Sequence, residues 1–218
     1  METYAYILRT LAHACVWTVT VTIAAFVIAF VLGSILAIIT TLSSRAVRYL
    51  IYAYVEIFRN TPVLVQLFII YFGLGQIGFK LSPYSAAALG LGMNGSATVF
   101  EIVRSSLKAV DRGQYEAAAA IGMTRIQSIR YVIIPQALRI ALPSVGNYAV
   151  GLVKDTSLAS AVAVPELAFR ARNLVGETYL STQIYLIVAA IYFVLSLPLM
   201  RLASRLEMKL SSGRHKNA

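Results

Sequence analysis

The chain has 218 residues, of which 59% are hydrophobic and only 13% charged, with a mean hydropathy of +0.74. An average soluble domain is about one quarter charged, so a water-covered globular enzyme is excluded. The 19 Lys and Arg against 9 Asp and Glu leave a net charge of +10. In a soluble protein this would raise nucleic acid as a partner; in a chain this apolar it reads as basic residues held at one membrane face, with no nucleic-acid partner. The single Cys15 forms no internal disulfide, and His13 and His215 have no neighbouring metal-ligand pattern, so no metal site is expected.

Charge-free stretches cover residues 10–44, 60–79, 81–100, 140–153 and 178–200. About 20 largely apolar residues are needed to cross the hydrocarbon layer as a helix. Four stretches meet that length, and the 14-residue one before Lys154 does not. The expected fold is all-α and polytopic, a single transmembrane domain over residues 1–218 with about five transmembrane helices near 14–42, 61–79, 83–107, 139–164 and 180–203. Helices are required because a lipid-facing backbone must satisfy its own hydrogen bonds. The first stretch is far longer than the roughly 7–15 apolar residues of a cleaved signal, so it is read as a retained span.

In chain order, Arg59-Asn60-Thr61-Pro62 punctuates the second span, with Thr61 suited to an N-cap and Pro62 to the first helical position. Before it, residues 49–58 read as a tilted helix with Tyr52, Glu56 and Arg59 on one face. Between the third and fourth spans, residues 108–138 form the one long cytoplasmic connection. Asp111 with Gln114 reads as a variant capping box, Glu116 to Ile121 as an Ala-rich helix, and Gly122 as its C-terminus. Thr124 then caps a second helix running to Pro135, and Ser211 to Ala218 is expected to fray. Placing 13 of the 19 basic residues inside puts the N-terminus outside and the C-terminus inside. Those residues are Arg45 and Arg48, six from Arg104 to Arg139, and Arg201, Arg205, Lys209, Arg214 and Lys216.

Gly73-Leu-Gly75-Gln-Ile-Gly78 and Gly90-Leu-Gly92-Met-Asn-Gly95 match a dinucleotide-binding pattern literally. That pattern works only at a strand-to-helix turn, so neither is read as a nucleotide site. Gly90, Gly92, Gly95, Ser96 and Ala97, with Ala86 to Ala88, are read as surfaces for close helix packing. Charge inside a membrane is costly, about 2.5–3.5 kcal/mol even on insertion scales. Lys154 and Asp155 must lie in the fourth span, which Pro143 and Pro165 suggest is bent or interrupted; the pair either serves a site or gate, or lies shallow and snorkels. Glu101 and Arg104 share a helix face, as do Glu56 and Arg59, for a local ion pair or for ligand contact. Asn94 either bonds across helices or faces a cavity. No catalytic constellation is present, so the chain is not read as an enzyme. The Ala-rich segment is either simple helix former or a smooth helix for a partner's groove, with Glu116 as its polar contact.

At this segment the sequence resembles the permease subunits of ATP-binding cassette importers of the polar amino acid uptake family. The motif reads Gln114-Tyr-Glu116-Ala117-Ala118-Ala-Ala-Ile-Gly122-Met123-Thr124, then Ile134-Pro135-Gln136-Ala137-Leu138-Arg139. Similar strings are Phe58-Arg59-Asn60-Thr61-Pro62 with Val65-Gln66-Leu67-Phe68, and Lys154-Asp155-Thr156-Ser157-Leu158 with Glu166-Leu167. The third span departs from the family: Ala97-Thr98 stands where Ala-Tyr is usual, and Arg104-Ser105-Ser106 where Arg-Gly-Gly is usual.

The resemblance implies a multi-pass protein of the bacterial cytoplasmic (inner) membrane. Its partners are a second permease copy, identical or related, a pair of cytoplasmic ATPase subunits that bind ATP and Mg, and a periplasmic or extracellular solute-binding protein. This chain would carry no cofactor of its own. Gln114, Glu116, Ala117, Ala118, Gly122, Met123 and Thr124 would form the coupling helix. A polar amino acid would meet Asp155 and Glu101 through its ammonium, and Arg59, Thr156 and Ser157 through its carboxylate, with Asn94 and Thr98 along the path. The competing readings are a secondary amino acid transporter and a structural permease partner without its own ligand site.

Overall fold

The computed structural model describes the backbone of residues 2–211 and the side chains of residues 2–208. The basic residues Arg214 and Lys216, His215, the Lys209 side chain and the frayed end expected past Ser211 lie outside the described residues. Among the described residues all regular structure is helical. Nine helices are designated α1 Glu2–Leu42, α2 Arg45–Asn60, α3 Val63–Gln76, α4 Pro83–Lys108, α5 Arg112–Ala120, α6 Arg125–Ser128, α7 Ile134–Asp155, α8 Leu167–Thr178 and α9 Ser181–Ser211.

On length and composition α1, α4 and α9 each suffice to cross a membrane, and α2 with α3 adds a fourth span if that pair counts as one, bent by 106°. Burial separates them: the apolar window of α4 is 67% buried and that of α9 only 17%, so α4 is the central helix and α9 a peripheral one. In α1, residues Leu11, Ala14, Thr18, Val21, Ala25, Ala29 and Gly33 recur every three to four positions and are buried. The opposite face, including Val16, Ile23, Val27 and Val31, is equally apolar and exposed. A helix apolar all round is one made for lipid or a membrane partner. The helix begins at Glu2, well before the expected residue 14, because Ile7 and Leu11 pack against Leu167, Leu174 and Ile184 of α8 and α9.

The small residues of α4 do what their pattern predicts. A side chain at Gly92 would meet Cβ of Ile28 at 2.7 Å, and one at Gly90 would meet Leu67 at 2.6 Å. One at Gly95 would strike the Tyr148 hydroxyl of α7. The facing small residue, Gly33 of α1, lies so close that a Cβ there would stand 2.5 Å from the Ser96 carbonyl. Backbones this close gain dispersion contacts in a medium that offers no hydrophobic drive between helices.

Three local expectations need correction. Thr61 does not cap the second span: the helix starts one residue later, at Val63, and the Thr61 hydroxyl instead donates to the Ile57 carbonyl at the end of α2. Gln114 does not complete a capping box with Asp111, whose carboxylate accepts from the Gly113 N–H at 2.7 Å while the Gln114 side chain accepts from Gln136. The helix capped by Thr124 and Gln127 does not stop at Pro135. It passes through a π-helical turn, Ile129–Ile133, and continues as α7 to Asp155. The wide turn accommodates the missing N–H of Pro135 without breaking the rod. α7 also runs through Pro143, and its interruption falls after Asp155, where Thr156–Val162 winds as a 3-10 helix ended by Ala163 at φ +61°.

Candidate functional site

Three groups of residues named from the sequence form the candidate site. The first is α5. Asp111 caps its start, and its end is a double closure: the Gly122 N–H donates to the Ala119 carbonyl and the Met123 N–H to the Ala118 carbonyl, both at 3.0 Å. Gly122 holds φ +78°, the left-handed geometry this closure requires. Only Ala118 faces inward; Glu116, Ala117, Ala119, Ala120 and Ile121 are exposed, Ile121 by 74%. Gln136 Nε2 donates to Gln114 Oε1 at 2.9 Å and ties α5 to α7. A shallow depression beside it is lined by Ile121, Gly122, Met123, Gln127 and Tyr131. The hairpin thus offers a firm helix with a smooth outer face and a nearby notch of mixed polar and apolar lining.

The second group sits where α2, α3 and α4 meet. Pro62 has no N–H, so the Phe58 carbonyl four residues earlier loses its helical donor. Two side-chain amides replace it: Asn94 Nδ2 donates at 2.7 Å and Gln66 Nε2 at 3.0 Å. Gln66 also donates to the Thr61 hydroxyl and carbonyl and accepts from Asn94. Asn94 therefore bonds across helices. One and two turns further along the same face of α4 come Thr98, half-buried, and Glu101. Glu101 accepts from Arg104 at 3.0 and 2.5 Å and pairs with Arg59 of α2 at 3.7 Å. Arg104 in turn lies over the Tyr52 ring. The expected Glu56–Arg59 pair does not form, because Glu56 accepts from Asn60 at 2.6 Å.

The third group is Lys154, Asp155, Thr156 and Ser157. Lys154 and Asp155 are exposed, Thr156 is buried and donates to the Val153 carbonyl, and Ser157 donates to the Lys154 carbonyl. Leu152 and Ala159 pack with Ala87 and Leu91, at the first turns of α4. At 1.5 Å rise per residue that is roughly 15–20 Å along the axis from Glu101. Arg59, Asn94, Thr98 and Glu101 are thus brought together, and Asp155 is at a different level.

Sequence reading missed the roles of Gln66 and Glu166. Glu166 is fully buried: it caps α8 by accepting from Ala168 and Phe169 N–H groups, and accepts the Tyr192 hydroxyl at 2.8 Å. Burial pushes its carboxyl up from the ordinary value, against these hydrogen bonds. A lone carboxylate directly after Pro165 and immediately before a helical stretch was the signal available.

Residues 29–212 match the family described as the binding-protein-dependent transport system inner membrane component, and the chain belongs to that family. It is 39% identical over 191 residues to the probable amino-acid permease protein YxeN of Bacillus subtilis (strain 168), spanning 86% of this chain and 85% of that one. It is also 39% identical over 180 residues to the L-cystine transport system permease protein TcyB of the same strain, spanning 80% and 76%. Its fold superposes on a crystal structure of an amino acid ABC transporter with histidines with a TM-score of 0.88, at 35% identity over 95% of this chain and 97% of that one. The inward-facing MetNI methionine ABC transporter shares the fold, with a TM-score of 0.76 at 21% identity over 93% and 97%. The resemblance carried by the motif around Glu116 is thereby borne out.

Proposed function

We propose that the chain is the membrane subunit of an ATP-driven importer of polar amino acids, and that α5 is its coupling helix. The observation that carries this reading is the agreement of family membership with the build of α5: a capped helix anchored through Ala118, whose other small side chains and Glu116 face outward. Two ATPase subunits would bind ATP and Mg and seat α5 in a groove, with Gln114, Glu116, Ala117, Ala118, Gly122, Met123 and Thr124 at or behind the contact. A second permease copy would complete the path, and a solute-binding protein would deliver the amino acid from outside. α5 would be cytoplasmic, the N-terminus outside and the C-terminus inside, with α7 and its 3-10 extension as a fifth span. The basic residues around α5, from Arg104 to Arg139, support that orientation.

For the cargo, the two levels of polar residues divide the work. Asp155 and Ser157, at the break after α7, would meet the substrate first. The Arg59–Glu101–Arg104 cluster, with Thr98 beside it, would open and close the inner half of the path as the ATPases move α5. Asn94 would serve chiefly by holding the α2–α3 bend, since both protons of its amide are already committed.

The test is reconstitution with the cognate ATPase and solute-binding protein in liposomes. Glu116→Lys is expected to abolish substrate-stimulated ATP hydrolysis while the chain itself stays folded, because Glu116 is exposed. Undiminished stimulated hydrolysis would overturn the coupling role. Uptake unchanged in both Asp155→Asn and Glu101→Gln would leave the second permease as the subunit that holds cargo.

A further inference from the structure

A cavity of about 280 Å³ opens where the ends of α1, α2 and α4 meet the α5–α6 hairpin. Arg48 and Arg125 both line it, and no Asp or Glu does. Arg125 spends one N–H on the Thr41 carbonyl at the end of α1, at 2.9 Å, and keeps the rest of its fork. Arg48 makes no side-chain hydrogen bond or ion pair among the described residues. Ser128 lines the same cavity, is 6% exposed, and its hydroxyl is buried with no partner. Nearby Thr40 and Thr41 donate to their own helix and so are not donors for a ligand, whereas the Tyr115 hydroxyl is available. Leu107, Ile129 and Ile133 supply one apolar wall.

Arg48 and Arg125 are both exposed, so water screens their mutual repulsion. With no carboxylate in the lining they still leave the cavity positively charged, and the buried Ser128 hydroxyl without a partner is costly. A single anion with several acceptor oxygens answers both. A planar Arg fork fits phosphate better than it fits a monatomic ion. The cavity sits at the last turn of α1 and the first of α2, the level of a lipid headgroup, and its apolar wall would meet the glycerol end of such a lipid. We propose that this cavity binds a phosphate group through Arg48, Arg125 and Ser128, supplied by the headgroup of an anionic lipid or by a free phosphate ester. Bound there, the phosphate joins the ends of α1 and α2 to the hairpin that carries α5. The chemistry of the site stands independently of the importer reading; only its assignment to the inner leaflet rests on the orientation proposed above.

The full chain, purified with the subunits that accompany it, is delipidated and offered phosphatidylglycerol or phosphatidylcholine with the same acyl chains, with retention read by native mass spectrometry. Inorganic phosphate and glycerol 3-phosphate are then used as competitors. Phosphatidylglycerol is expected to be preferred. With each Arg near an anionic headgroup contributing about fivefold, the Arg48→Gln/Arg125→Gln pair should lower that preference about 25-fold, and Arg112→Gln on the exposed turn should leave it unchanged. Ser128→Ala should weaken it about threefold, and Arg48→Gln alone serves if loss of the Thr41 contact unfolds the pair. Resistance to millimolar phosphate assigns the headgroup as the source. Equal binding of glycerol 3-phosphate that displaces the lipid assigns a free ester, and the site stands. No preference over phosphatidylcholine together with no phosphate binding, or an Arg48→Gln variant that binds as the wild type does, overturns the proposal. Because no ATP is used, this result is separate from the hydrolysis assay that tests the importer reading.

Discussion

The centre of α4 and the helix α5 are both written in small residues, and the structure uses them in opposite ways. Gly90 to Gly92 and Gly95 to Ala97 are buried, with neighbouring atoms within 3 Å of where a carbon added to Gly90, Gly92 or Gly95 would lie. Ala117 to Ala120 exposes all but Ala118. Small side chains permit close approach in both places. In α4 the approaching surfaces are other parts of this chain; in α5 none of the described residues covers the outer face. Composition therefore marks an approach surface, and burial decides whether it is filled from within or from a partner.

The largest test of that contrast is to add carbon to each. Gly92→Val or Gly33→Val should cost about 3 kcal/mol or more, enough to lose the folded chain from detergent, because Ile28 and the Ser96 carbonyl stand in the way. Ala119→Val should lie within about 0.5 kcal/mol of the wild type. Thermal unfolding followed by size-exclusion recovery measures both, and equal losses would erase the distinction. Next in size is the Phe58 carbonyl. Asn94→Leu or Gln66→Leu alone leaves one donor in place and should cost about 1 kcal/mol, while the double variant should cost distinctly more than the sum, since the carbonyl is then left bare. A double-mutant cycle that comes out additive would remove the shared-acceptor account.

Gly122→Ala forces a side chain into φ +78° and should cost about 1 kcal/mol, confined to the end of α5. Hydrogen exchange at Met123 and Thr124 should rise while α4 is unaffected; faster exchange spreading into α4 would show the hairpin to be part of the core. Smallest is Arg59→Gln. Its pair with Glu101 is 3.7 Å long and the Arg side chain is 49% exposed, so stability should change by under about 0.5 kcal/mol. A transport defect without a stability change would fit the gate role proposed for that cluster, and normal transport would count against it.

Some features were plain from short stretches of sequence. The Glu101–Arg104 pair, the Gly122 helix end and the tight packing of Gly90 to Ala97 all follow from spacings of a turn or two. The α2–α3 bend was half legible. Pro62 marked it, but the donors that repair the Phe58 carbonyl lie 8 and 36 residues away, and nothing in the local pattern names them. Thr61 looked like a cap for the same reason: its hydroxyl is claimed by Ile57 and Gln66, and only the fold puts Gln66 there. Gly33 gave no signal within its own apolar run, since its importance lies in Ser96 opposite.

The chain's apolar runs and sparse charge settled that it is helical and made for a membrane, because each helix closes its hydrogen bonds within a few residues and the solvent is chosen by composition. The choice of α4 as the central helix, the repair of the α2–α3 bend, the separation of Glu101 from Asp155 and the two arginines around one cavity came from contacts between residues far apart in sequence. Periodicity fixes which face a residue occupies; only packing fixes what that face meets.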